Sequence, residues 1–94
     1  DYEAARLDVL TDTAKAFADL VAAERRLAIM EELTGLSKRV YDTVAEQADA
    51  GEISPIQKKR AQIAYSQTEI SLARTKRQVE AARKSLAARW GSLQ

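Results

Sequence analysis

The chain has 94 residues, 46% of them hydrophobic and 31% charged, with 15 Lys/Arg against 14 Asp/Glu. One proline and three glycines are too few for an all-β chain or a Pro/Gly-rich disordered segment. His and Cys are absent, which excludes zinc fingers, histidine-activated nucleophiles, disulfide scaffolds and thiol chemistry.

Ala, Leu, Glu, Lys, Arg and Gln dominate, the composition of long helices and coiled coils. No apolar run approaches the roughly 20 residues of a membrane span, and the start lacks a signal-peptide pattern. Because the sequence opens on Asp1 rather than Met, we expect a processed chain or a fragment of a larger protein.

From the start to Asp49 the sequence reads as one helical arm. It offers Leu7, Leu10, Ala14, Phe17 and Val21, then Leu20, Ala23, Leu27 and Met30, then Leu33, Leu36, Val40 and Val44. This apolar stripe is expected to drift around the helix, as it does over many turns at about 3.6 residues per turn. Gly35 is the weak point, since an interior glycine costs about 1 kcal/mol relative to alanine. The apolar spacing continues across it, so the helix is expected to continue as well.

The break falls at Ala50-Gly51-Glu52-Ile53-Ser54-Pro55. Gly51 suits the left-handed position just past a helix C-terminus. Ser54 suits an N-cap and Pro55 the first helical position, and Gln57, three residues after Ser54, completes a capping box. The second arm then carries Ala61, Tyr65, Thr68, Leu72, Thr75, Val79, Ala82, Leu86, Arg89 and Leu93 at a seven-residue repeat, with Ile56, Ile63 and Ile70 as an offset series. Trp90-Gly91 reads as a packing plug followed by a helix stop.

These signals predict an all-α fold: a long, coiled-coil-like antiparallel helical hairpin over residues 1–94 as a single unit. Helix 1 is expected over about residues 2–50, the turn at 51–54 and helix 2 over about 55–90. Arms of forty residues would reach about 60 Å. More than one face of each arm is apolar, and a two-helix seam buries only one, so further helices are expected alongside. Charge divides along the chain: residues 1–55 carry six Lys/Arg against twelve Asp/Glu, and residues 56–94 carry nine against two. The two arms are therefore expected to attract each other.

Catalysis finds no support, and no cofactor or metal is called for. The six serines have no histidine to activate them. Asp8/Asp12 and Asp42/Glu46 share helix faces, but a hard cation needs about six oxygen ligands. Met30 sits at a packing position.

Two stretches carry a family resemblance. Val44-Ala45-Glu46-Gln47-Ala48-Asp49-Ala50-Gly51-Glu52-Ile53-Ser54-Pro55, followed by Arg60-Ala61, and Ala81-Ala82-Arg83-Lys84-Ser85-Leu86-Ala87-Ala88-Arg89-Trp90-Gly91 resemble outer-membrane efflux proteins of the TolC type, particularly the heavy-metal (CzcC-like) branch. Ala14 to Leu27 is similar to the helix that descends from that family's membrane barrel. The resemblance implies one periplasmic hairpin of a homotrimeric outer-membrane duct for metal ions or small toxic compounds. It also implies that Gly51, Glu52, Ile53 and Ser54 form a tip that meets a periplasmic adaptor and, through it, an inner-membrane pump. Nucleic acid and direct membrane contact are not expected. The adaptor's own hairpin is the nearest alternative, but its Arg, Leu and Ser at seven-residue spacing fail here, since Gln47 and Val40 precede Ser54 at those steps. A basic coiled-coil module for anionic surfaces is the other.

Overall fold

The computed structural model describes residues 2–92. It contains two helices, α1 (Tyr2–Asp49, 48 residues) and α2 (Pro55–Ser92, 38 residues), joined by a short turn. This is a long helical hairpin, with no strand among the described residues. Helix α1 runs through Gly35 without interruption, as the continuous apolar spacing requires. Helix α2 passes through Gly91 to Ser92. The expected stop at Gly91 is therefore corrected: a glycine whose φ is not positive lowers helix propensity but does not end the hydrogen-bond ladder. Leu93, the last member of the predicted stripe, lies outside the described residues.

The chain packs as two units. One joins residues up to Leu27 with those from Thr75 onward; the other is Ala28–Arg74. In the first, Val9, Thr13, Ala16, Leu20, Ala23 and Leu27 of α1 turn inward, as do Thr75, Val79, Ala82, Leu86 and Arg89 of α2. The least exposed are Ala23 and Val79, each at 2%. Thr13 is buried as well, and its hydroxyl donates to Val9 O at 2.9 Å within its own helix, which satisfies the polar atom locally. Arg89 occupies a half-buried position, where its Nη1 donates to Ser85 O at 3.2 Å and also to the Ser85 hydroxyl.

In the second unit the inward residues are Met30, Thr34, Ser37, Tyr41, Val44 and Ala48 of α1, with Lys58, Ala61, Tyr65, Thr68 and Leu72 of α2. Tyr41 and Tyr65 stack across the seam with ring centroids 6.2 Å apart. The Thr34 hydroxyl donates to Thr68 O at 3.4 Å, a long bond that crosses between the helices. Thr68 donates its own hydroxyl to Tyr65 O at 2.7 Å.

Helix α1 differs from its expected stripe. Leu20, Ala23, Leu27, Met30 and Val44 do face inward, but Leu7, Leu10, Phe17, Val21, Leu33, Leu36 and Val40 remain exposed, Phe17 by 59%. The inward register does not drift. Alternating steps of three and four run from Val9 to Ala48, and small or polar residues occupy many of them. Thr13, Ala16, Ala23, Thr34 and Ser37 share this register with Leu20, Leu27, Met30 and Tyr41, so the unbroken three-and-four spacing sets the inward face and side-chain size does not.

Candidate functional site

The turn is built by two local hydrogen-bonding devices placed back to back. At the end of α1, Gly51 adopts φ +78°, a left-handed conformation that costs a residue with a Cβ roughly 1–2 kcal/mol. Gly51 N–H donates to Ala48 O at 3.1 Å, and Glu52 N–H donates to Gln47 O at 2.9 Å. That pair of bonds is the Schellman closure of a helix C-terminus. Ala50 N–H adds a last helical bond to Glu46 O at 3.0 Å.

At the start of α2 the Ser54 hydroxyl accepts from Ile56 N–H at 3.2 Å, two residues on, as an N-cap does. Gln57 contributes its backbone N–H to Ser54 O at 3.0 Å. These bonds make a simple N-cap rather than the expected capping box, in which the serine hydroxyl would accept from Gln57 N–H and the Gln57 side chain from Ser54 N–H.

An ion pair ties the two helix ends together. Lys58 Nζ lies 3.1 Å from Asp49 Oδ1, and both groups are open to solvent. The hydrogen bond to Asp49, and then its charge, hold the Lys58 ammonium above its ordinary value of 10.5. The structure thus pins the turn from three sides: a helix stop, a helix start and a clasp.

The predicted tip residues come together in this turn. Gly51, Glu52 and Ser54 are exposed, whereas Ile53 is half-buried. Ile53 is thus neither a fully projecting knob nor a sealed plug.

A second feature runs along an edge of the seam, where inward and outward residues meet. In the unit that contains both chain ends, Leu10, Ala14, Phe17 and Leu20 of α1 and Leu86, Ala87 and Trp90 of α2 line an apolar groove of 720 Å³. Trp90 is 59% exposed, so it walls a groove and does not plug the seam. The signal was present as the Leu7–Val21 spacing, but spacing cannot show which of two apolar stripes turns outward.

Among the described residues no group of three or more His, Cys, Asp or Glu is placed to hold a metal ion. No helix there is long and apolar enough to cross a membrane. The class the fold defines is a long helical hairpin with a pinned turn and apolar residues left exposed on its outer faces. Residues 1–92 match the family model described as outer membrane efflux protein, and the chain belongs to that family. The family is one of transport channels and not an enzyme class, which makes this hairpin a component of an outer-membrane efflux duct. No curated protein and no solved structure matches the chain significantly.

Proposed function

We propose that the chain is a periplasmic hairpin of a trimeric outer-membrane efflux duct, and that its turn docks end-on against the tip of a periplasmic adaptor. Through that adaptor the duct is coupled to an inner-membrane pump. The cargo is metal ions or small toxic compounds. In this reading the hairpin is one part of a longer protein.

The observation that carries the docking role is the turn itself. Its backbone conformation is set by the Schellman closure at Gly51 and by the Ser54 cap, while Gly51, Glu52 and Ser54 face solvent. A surface already ordered before its partner arrives loses little conformational entropy on binding. Family membership supports the duct role, and the rigid exposed turn supports the contact point.

The test is Ile53→Asp and Gly51→Val in the native efflux protein in cells. Both variants are expected to leave trimer formation and membrane insertion intact, while weakening adaptor binding and export. Normal export by Ile53→Asp with unchanged adaptor affinity would show that docking lies elsewhere. Growth of cells lacking the protein on divalent metals, compared with growth on organic toxicants, identifies the cargo class.

A further inference from the structure

Within Ala28–Arg74 the Tyr41–Tyr65 stack and the Thr34–Thr68 hydrogen bond show how the two helices face each other. Tyr41 and Tyr65 lie on the turn side, and Met30 and Leu72 lie on the other. Between these pairs the inward residues are Thr34 and Ser37 of α1 and Thr68 and Ser71 of α2. All four carry hydroxyls. Here the seam lacks the packed hydrocarbon that holds one helix against another.

The hydrogen bonds of this layer do little to replace it. The Thr34 hydroxyl reaches Thr68 O at 3.4 Å, beyond the usual range of an O–H···O bond. The Thr68 hydroxyl turns back onto its own helix, to Tyr65 O at 2.7 Å, and back-bonding of this kind loosens and bends a helix. On α1 the same level carries Gly35. Its φ is not positive, and a Cβ placed there would meet nothing within 4 Å. Neither the backbone nor the packing of the hairpin therefore calls for a glycine, yet it weakens α1 beside the hydroxyl layer.

We infer that the hairpin has a joint at this level: residues 33–38 of α1 and 66–71 of α2 open together for short times, while the helices on the turn side stay paired. Both helices run unbroken through it, so the joint is a local opening of ordered helix. Opening costs little here, because a hydroxyl exchanges its protein partner for water and little hydrocarbon is uncovered. On the turn side the Tyr41–Tyr65 stack, the Asp49–Lys58 pair and the Schellman bonds remain, so the turn keeps its shape while its angle changes. Where the turn docks end-on, as proposed above, the joint lets it align with its partner; the joint itself rests on no partner.

Hydrogen–deuterium exchange of the native efflux protein, read residue by residue by fragmentation mass spectrometry, tests the joint. Amides of residues 35–38 and 68–71 are expected to be at least about tenfold less protected than those of 42–47 and 59–64, which lie nearer the turn. Equal or greater protection overturns the inference. Gly35→Ala is expected to slow exchange about fivefold at 35–38, and to slow it at 68–71 across the seam as well. Slowing confined to α1 shows that the two helices do not open together, and overturns the joint. Thr34→Val keeps the side chain's shape and removes its hydroxyl, and it is expected to slow exchange on both helices as hydrocarbon replaces a weak bond. Faster exchange shows that the hydroxyls hold the seam closed, which also overturns it. No adaptor enters the measurement, so failure of the docking reading and failure of this one give different results.

Discussion

The same substitution at two glycines of this chain is expected to act with opposite sign. Neither Gly51 nor Gly35 has an atom within 4 Å of the place a Cβ would occupy, so packing contributes to neither change. What remains is the backbone. At Gly51, φ is +78°, and alanine in that left-handed region is disfavoured by roughly 1–2 kcal/mol. At Gly35 the backbone is ordinary helix, and alanine there is favoured over glycine by about 0.8–1 kcal/mol. For a chain of this size about 1 kcal/mol moves the melting temperature by roughly 4–8 °C. Gly51→Ala should therefore melt several degrees lower, and Gly35→Ala several degrees higher. Gly51→Asn should fall between wild type and Gly51→Ala, because asparagine tolerates the left-handed region better. Far-UV circular dichroism on dilute chain, below the concentration at which copies associate, measures all three. A Gly51→Ala melt equal to wild type would refute the argument that the left-handed closure holds the turn, and a Gly35→Ala chain less stable than wild type would refute the open-helix reading of that site.

Further outcomes follow from the seam and the turn. Val79→Ala, at a position 2% exposed, should cost about 2 kcal/mol through lost burial and the space left behind, read from urea midpoints; Ile29→Ala on the open face should change the single-copy stability by less than about 0.5 kcal/mol. Ser54→Ala should cost about 1 kcal/mol by removing the acceptor for Ile56 N–H. The Lys58 value is raised in the folded chain, so its pairing with Asp49 stabilises fully below the ordinary value of 10.5 and is lost as pH rises through the higher folded value. Alkaline titration of stability should show a small drop in that window which Asp49→Asn abolishes, and an unchanged drop in Asp49→Asn would assign it elsewhere.

The all-α hairpin and its turn were legible in the residues because their causes are local. Helix propensity acts residue by residue, and Gly51 and Ser54 close their hydrogen bonds within five residues. The inward stripe of α2 was legible too, from Ala61 to Arg89, since it is the one stripe of that arm with continuous three-and-four spacing. In α1 two apolar stripes have that spacing, and periodicity alone favours the larger side chains. Tertiary structure decided otherwise. Thr13, Ala16, Ala23, Thr34 and Ser37 turn inward with Leu20, Leu27, Met30 and Tyr41, and Leu7, Phe17, Leu33 and Leu36 stay out, because the face that keeps an unbroken three-and-four register stays in the seam even where its residues are small or polar. The same choice turned Trp90 into a groove wall and left the outer faces open. Sequence by itself determined which segments are helical and where the chain reverses. Only the packing of one helix against the other determined which apolar face was consumed and which remained exposed.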